Sequence, residues 1–167
     1  TISVNDYLRQ LKIAVMFEDA HDATIPRIAQ LTQRTNQFTL TTRRYSQEAI
    51  SKLLRHERYR VITAHVSDKF GDNGLTGVAI VERSAPGEWR IDTFLLSCRI
   101  IGRRVEEALL AHVMQEAKNE GAEFVRGEYV ETKSNKLTEG FYERCGFRKQ
   151  HVDNVSTMWV FDLEEEF

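Results

Sequence analysis

The chain has 167 residues, of which 41% are hydrophobic, 10% aromatic and 29% charged, and its 23 basic residues nearly balance 25 acidic ones. This length and composition fit one globular domain, residues 1–167, with a substantial core. The net charge of −2 excludes general attraction to nucleic acid or to an anionic membrane. Without an apolar run long enough for a membrane span, and with no secretory signal, we expect a cytoplasmic protein whose two cysteines are free thiols.

The first part of the chain predicts one strand followed by two helices. Alternating residues over 11–18 indicate a strand with one buried face. Thr24 is a suitable cap for a helix that has Pro26 in its first turn and continues to about 33–36. A second helix is expected to begin at Ser46. The Thr-Arg-Arg cluster at 42–44 between them is interpreted as a solvated face.

The middle of the chain predicts an antiparallel meander. Three strand-like runs, at 60–66, 75–82 and 89–97, are separated by residues with turn chemistry at 67–74 and 84–87. Neighbouring strands joined by short turns usually pair antiparallel.

The longest helix is expected after this meander. Apolar residues recur with helical spacing from Val105 to Ala117, and Gly121 ends the pattern. The elements expected after it are a strand, a short helix and two closing strands, at residues 123–130, 134–145, 147–152 and 156–163. The prediction is therefore an α/β (α+β) fold, with a mixed, mostly antiparallel sheet of about six to seven strands flanked by about four helices.

The stretch from Leu95 to Arg104 carries the strongest chemical signal. A strand runs through a tight turn into the longest helix, and the N–H groups at a helix start have no partner within the helix. Those groups and the positive end of the helix dipole favour phosphate, and Arg99, Arg103 and Arg104 add charge. A pyrophosphate suits this arrangement, although an ordinary connection in which Gly102 eases the turn is the alternative. The common glycine-rich nucleotide motifs are absent from the sequence.

This loop resembles the cofactor loop of the GNAT acyltransferases, which reads Arg or Gln, two residues, Gly, one residue, and then Gly or Ala. Arg99 and Gly102 match that pattern, and Arg104 stands in its last position. The resemblance implies the GNAT fold and a site for coenzyme A, acyl-CoA or a phosphopantetheine thioester. The cofactor-binding residues that it implies in the loop are Ser97, Arg99, Ile100, Ile101, Gly102, Arg103 and Arg104.

A second match to the same superfamily lies between Asn135 and Phe147, where Asn135 stands seven residues ahead of Tyr142. The resemblance implies that Asn135 orients the pantetheine arm and that Tyr142 donates a proton to the leaving thiolate. A phenol suits this acid role near neutral pH if its surroundings lower its pKa. The alternatives are a core tyrosine with a wet hydroxyl and an asparagine that satisfies backbone groups.

Cys98 stands at the carboxyl end of the strand that enters the loop, where the superfamily holds the acyl group. It is a candidate covalent acyl relay, and the alternative is a buried core cysteine. The group that takes a proton from an acceptor stays open among Asp92, Glu128, Glu131 and His65. His112 is expected in the core, and the scattered histidines indicate no metal site.

Longer stretches resemble the carboxyl-terminal part of the FkbH-like family, and they cover nearly the whole chain. They lie at residues 28–38, 41–44, 70–74 and 92–99. Members of that family carry an amino-terminal phosphatase-like domain of the haloacid dehalogenase (HAD) type, and they load a glyceryl unit from 1,3-bisphosphoglycerate onto an acyl carrier protein for polyketide biosynthesis. The resemblance implies that this chain is the GNAT part of such a protein, with the HAD-like domain and the carrier protein as partners.

Three functions remain open at this point. The first is an acyltransferase domain that uses the loop, Cys98 and Tyr142. The second is a catalytically degenerate module that docks the carrier protein for the phosphatase domain, which Arg104 favours because FkbH-like proteins usually have Gly there. The third is free-standing acetylation of an amine.

Overall fold

One mixed sheet of eight strands carries six α-helices within residues 3–166, the part of the chain described by this computed structural model. The strands are β1 (Ala14–Asp19), β2 (Phe38–Thr39), β3 (Tyr59–Asp68), β4 (Gly71–Ala85), β5 (Glu88–Leu96), β6 (Phe124–Tyr129), β7 (Arg148–Val152) and β8 (Thr157–Asp162). The helices are α1 (Val4–Gln10), α2 (Ile25–Arg34), α3 (Gln47–Leu54), α4 (Val105–Asn119), α5 (Phe141–Arg144) and α6 (Leu163–Glu166).

The strands follow the order β1-β3-β4-β5-β6-β8-β7, and β2 pairs with β5 outside this path. Every pair is antiparallel except β5 with β6. The expected mixed, mostly antiparallel sheet is confirmed, although the expected numbers of strands and helices were slightly too low.

Helices cover both faces of the sheet, which is why its central strands are apolar on both sides. On β4, Val78 and Ile80 belong to the hydrophobic cluster of α2 and α3, whereas Ala79 and Val81 belong to the cluster of α4. Successive residues of a strand point to opposite faces of the sheet, so the alternation along β4 places its residues in the two clusters in turn. Among the described residues, none of the helices combines the length and the apolar character that crossing a membrane requires.

The helix caps explain where two expected helices begin and end. Ser46 precedes α3, and its hydroxyl oxygen accepts a hydrogen bond from the N–H of Ala49 at 3.0 Å. Gly121 follows α4 with φ +88°, a conformation that favours glycine at a helix end. Both boundaries agree with the sequence prediction.

Two local predictions are wrong. The first strand begins at Ala14 rather than at residue 11, because Leu11 ends α1 and Lys12 has a left-handed backbone. The single helix expected over 134–145 is divided into a 3-10 helix (Lys136–Thr138) and α5. The break coincides with Gly140, a residue with low helix propensity.

Candidate cofactor and acyl site

The parallel strands β5 and β6 are paired only over part of their length. Their register runs from Glu88 opposite Phe124 to Ile91 opposite Gly127, and no pairing follows. Strands that diverge leave backbone N–H and C=O groups that need other partners. The carboxyl end of β5 leads directly into the loop predicted to bind the cofactor, so this divergence positions the candidate site.

Residues 38–41 fill the gap between the two strands. β2 pairs with the carboxyl end of β5. The N–H of Leu40 donates to the carbonyl of Phe94 at 3.1 Å, and the carbonyl of Leu40 accepts from the N–H of Val130 at 2.8 Å. This segment therefore bonds to both sides of the gap and supplies partners for polar groups of the diverging backbone.

Asn135 secures this segment and is fully buried. Its Nδ2 donates to the carbonyls of Thr39 at 2.8 Å and Val130 at 3.0 Å, while its Oδ1 accepts from the N–H of Thr132 at 2.8 Å. These bonds use both N–H donors of the amide. The role of Asn135 toward a pantetheine arm stays a prediction, and in this structure its donors serve the backbone.

The phenol of Tyr142 lies under the same region and is also fully buried. Its hydroxyl has no hydrogen-bond partner within the described part of the chain. Burial, followed by the negative charge of Glu128, raises the pKa of this phenol strongly. The lowered pKa that would suit a proton donor is therefore absent here, and the group stays protonated as a hydrogen-bond donor.

The loop itself begins with a 3-10 turn over Cys98–Ile100, which Ser97 caps by accepting a hydrogen bond from the N–H of Arg99 at 3.4 Å. Gly102 has φ +87°, and a β-carbon at this position would meet no atom within 4 Å. The four N–H groups of residues 101–104 form no hydrogen bond inside the described chain. N–H donors without a partner at the start of a helix are suitable for a phosphate oxygen.

The three arginines of the loop differ in their ion-pair partners. Arg103 pairs with Asp68 at 2.7 Å. Arg104 folds back to Glu107 at 3.1 Å, and it adopts the left-handed conformation with φ 63° at the N-cap of α4. Only Arg99 makes no ion pair with another described residue, so it alone keeps a free guanidinium.

Cys98 is exposed, which makes the interpretation as a core cysteine wrong. It opens onto a cleft of about 720 Å³ between α2 and the carboxyl end of β5. The role of Cys98 as an acyl relay stays a prediction. His112 is half-buried and stacks on the ring of Phe17, with ring centroids 4.4 Å apart.

A charged cluster lies where β5 and β6 separate. The sequence analysis did not identify Arg43, the residue at its centre. Arg43 donates to Glu128 at 2.8 Å and to the Asp92 carboxylate at 3.3 Å. Tyr45 donates to the other oxygen of Asp92, and burial, followed by this contact, raises the pKa of the tyrosine. The interpretation of residues 42–44 as a solvated face is therefore wrong for Arg43, whereas Arg44 is exposed. Two acidic residues on buried strands require a nearby cation, and this requirement was the signal in the sequence that could have indicated a buried arginine.

The four candidates for a general base are not brought together. Asp92 and Glu128 are both engaged by Arg43. Glu131 is exposed, and His65 lies on β3 beside Glu18 at 3.1 Å, two strands away from β5. Within residues 3–166, no three side chains of His, Cys, Asp or Glu form a group that suits a metal.

The residues fit one end of the cofactor that the sequence resemblance implies. The loop at 101–104 offers free N–H groups and open space to phosphate groups. The space between Asn135 and the end of β5, where the resemblance puts the pantetheine arm, is filled by residues 38–41. In this conformation the chain therefore fits the phosphates and does not fit the arm beside Asn135.

Solved structures match this fold, while no protein-family model and no curated protein matches the chain. The ribosomal-protein-S18-alanine N-acetyltransferase of Escherichia coli aligns with a TM-score of 0.68 and 14% identity, over 90% of this chain and 94% of that one. The GNAT domain of PAT from S. lividans gives 0.70 and 14%, over 89% and 90%. The Paia N-acetyltransferase of Thermoplasma acidophilum, solved with coenzyme A, gives 0.66 and 14%, over 89% and 99%. The chain therefore has the GNAT fold.

Proposed function

We propose that this chain is an acyltransferase-type domain whose loop, residues 97–104, binds the phosphate groups of coenzyme A or of a phosphopantetheine thioester. The observation that carries the proposal is that the N–H groups of residues 101–104 have no backbone partner among the described residues, at a loop where a β-carbon on Gly102 would meet no atom within 4 Å. The GNAT-fold protein from T. acidophilum, whose structure contains coenzyme A, supports this class of ligand. The positive end of the α4 dipole adds to the attraction.

Other residues of the chain have distinct roles in this proposal. The cofactor supplies the thioester when it is bound. The exposed thiol of Cys98, next to the free guanidinium of Arg99, acts as the acyl acceptor of a relay. The hydroxyl of Tyr142 remains protonated and has no partner among the described residues, so it is available to donate a hydrogen bond to the leaving sulfur.

The finer proposal is that the domain belongs to an FkbH-like protein. Its partners are then an N-terminal HAD-like domain and an acyl carrier protein, and the group transferred is a glyceryl unit from 1,3-bisphosphoglycerate. The sequence stretches at 28–38, 41–44, 70–74 and 92–99 support this assignment. We place such a protein in the cytoplasm, where its two free cysteines would stay reduced.

A second function is a docking module that holds the phosphopantetheine arm of the carrier protein without catalysing transfer. Two observations favour it: residues 38–41 fill the gap between β5 and β6, and Asn135 has no free donor. The two functions share the phosphate loop and differ in whether the chain contributes reacting groups.

Calorimetric titration with coenzyme A tests the loop. We expect micromolar binding that Gly102→Trp abolishes, because the added side chain occupies the open space at the loop. Gly121→Trp is the matched control, since Gly121 has nearly the same φ (+88°), the same open surroundings and lies at the other end of α4. Equal binding by both variants would place the ligand elsewhere and sink the loop assignment.

Tyr142→Phe separates the two functions. In an acyltransferase that uses the hydroxyl, the variant loses transfer to the acceptor while coenzyme A binding persists. In a docking module, the activity of the full-length protein and the binding both remain unchanged. Circular dichroism measures whether the variant is folded. Loss of both coenzyme A binding and folding would contradict both expectations.

A further inference from the structure

A pocket lies between α5 and the hairpin of β7 and β8. Its volume of about 730 Å³ is in the range of small-molecule sites. The end of β6, the 3-10 helix Lys136–Thr138, α5 and the turn between β7 and β8 contribute to its lining. Neither α4 nor residues 38–41 and 97–104 contribute to it, so the pocket is separate from the candidate cofactor site.

The rim of this pocket is apolar. Of the seven large hydrophobic side chains that are exposed in the described part of the chain, three line this pocket: Leu137, Val152 and Val155. Exposed hydrophobic residues that are scattered singly need no explanation, whereas a group of them around one concave surface indicates a place where an apolar group binds. The pocket therefore offers apolar contact to a ligand.

The buried part of the lining is aromatic. Tyr129 and Trp159 are 6% and 7% exposed. Nε1 of Trp159 has no hydrogen-bond partner among the described residues, and a buried donor without a partner is costly. The ammonium of Lys149 lies over the indole, with Nζ 5.5 Å from the ring centroid. Lys149 is exposed and its stem is flexible, so a ligand that displaces this side chain reaches Trp159.

Charged side chains of both signs line the pocket without a partner. Asp153 is an exception, because its carboxylate accepts hydrogen bonds from the N–H groups of Val155 and Ser156 in the turn. The others form no hydrogen bond or ion pair through their side chains with another described residue; they are Glu131, Glu139, Glu143, Lys136 and Arg144. A ligand with a single charge would leave one of the two signs unpaired.

The two signs are distributed unevenly over the aromatic residues. Burial raises the pKa of Tyr129, the hydroxyl of Thr138 opposes this shift, and the negative charges of Glu131 and Glu139 add to it. Carboxylates therefore lie near the phenol, whereas the ammonium of Lys149 lies over the indole of Trp159. A ligand that spans the two rings meets a negative end and a positive end.

We propose that this pocket binds a small zwitterion with an apolar side chain, either a free α-amino acid or a short peptide. The ammonium of the ligand pairs with Glu131 and Glu139. Its carboxylate accepts a hydrogen bond from Nε1 of Trp159 and pairs with the displaced Lys149, and its apolar group contacts the rim. Hydrogen bonds between ionised groups are the strong ones, so both ends contribute to affinity. The proposal does not require that the loop at 97–104 bind coenzyme A.

Calorimetric titration with leucine and with leucyl-leucine distinguishes the two sources. Both bind if the pocket recognises zwitterions in general, and only one binds if it recognises a particular length. N-acetyl-leucine lacks the ammonium and leucinamide lacks the carboxylate, and each is expected to bind at least about tenfold more weakly than leucine. Binding of neither zwitterion, or equal binding of leucine and both matched compounds, would overturn the proposal.

Variants show whether the zwitterion lies in this pocket. Glu139→Gln and Trp159→Phe are each expected to weaken binding by about tenfold, because each removes one charge-assisted hydrogen bond. Glu164→Gln is the matched control for the first, since Glu164 is exposed and does not line the pocket. Glu139 is itself exposed, so its variant tests the site without disturbing the core. Normal binding by both pocket variants would overturn the proposal.

Tryptophan fluorescence gives a second readout of the position of the ligand. The chain has two tryptophans, and Trp89 does not line the pocket. Saturating leucine should change the emission of the wild type by displacing Lys149, and Trp159→Phe should abolish this change. A change that persists in Trp159→Phe would place the ligand elsewhere and overturn the proposal.

Gly102→Trp separates this inference from the function proposed for the loop. The variant is expected to lose coenzyme A binding and to bind leucine with unchanged affinity, because Gly102 does not line the pocket. Calorimetry measures both. Loss of leucine binding in a folded Gly102→Trp variant would place the zwitterion at the loop and overturn the proposal.

Discussion

The ring of Tyr142 lies directly against the backbone of Gly127. A β-carbon at position 127 would approach Cζ of the ring to 2.3 Å and its two Cε atoms to 2.6 and 2.7 Å. Gly127 is also the last residue of β6 that pairs with β5. The strands thus separate at the point where the phenol packs on the sheet. Because Gly127 has no side chain, the ring of Tyr142 has room to lie against the backbone.

Gly127→Ala should destabilise the protein by about 1–3 kcal/mol, because the buried ring has no space into which it can move. Urea denaturation of the variant and the wild type measures this cost. Removing the ring with Tyr142→Leu should reduce the cost of the alanine, as a double-mutant cycle would show. A variant as stable as the wild type would contradict the packing described.

Asn135→Ala should lower the free energy of unfolding by about 2–3 kcal/mol, since three hydrogen bonds to backbone groups are lost at a buried position. Asn154→Ala, at an exposed position, is the control and should change stability little. Chemical denaturation compares them. If both variants were equally stable, the amide of Asn135 would not secure residues 38–41.

Arg104→Gly should be more stable than Arg104→Ala by about 1 kcal/mol, because only glycine adopts φ 63° without strain. Both variants lose the same half-exposed ion pair with Glu107, so that loss cancels in the comparison. Thermal unfolding gives the order of stability. An alanine variant at least as stable as the glycine variant would show that the left-handed turn is not strained.

His112 should make the protein less stable as the pH falls from about 7.5 to about 5.5. Burial lowers the pKa of His112 below its ordinary value of 6.5, although Glu116 and Asp19 oppose the shift and Arg60 adds to it. The unfolded chain then takes up the proton more readily, so the stability contributed by neutral His112 is present above about pH 6.5 and is lost as the pH falls.

The comparison with His112→Phe isolates this effect. Phenylalanine keeps an aromatic ring in the stack on Phe17 and removes the titration. Urea denaturation at both pH values should show a smaller loss for the variant than for the wild type. An equal loss would assign the pH dependence to other groups.

Local patterns were enough to predict much of the fold. The Ser46 cap of α3 and the apolar stripe of α4 that ends at Gly121 are signals contained in a few consecutive residues. They are reliable because a helix cap and a helix face depend mainly on neighbours in sequence.

The features that were missed depend on distant partners. β2 has two residues, too few for any periodicity, and exists because the end of β5 lacks a neighbour. Arg43 is recognisable as a buried cation only when Asp92 and Glu128 are known to meet. The same limit applies to the pocket that Trp159 lines, whose charged side chains come from separate parts of the chain.

The attachment of residues 38–41 also has a consequence for the order of folding. This segment forms hydrogen bonds with Phe94, Val130 and Asn135, residues far along the chain, so it has nothing to join until β5 and β6 have formed. Contacts between distant residues cost the most chain entropy and form late. Phe38 and Leu40 of this segment are buried in the core, so detaching the segment would expose apolar surface. The gap between β5 and β6 is therefore closed late in folding, and buried apolar side chains then hold it together with the hydrogen bonds.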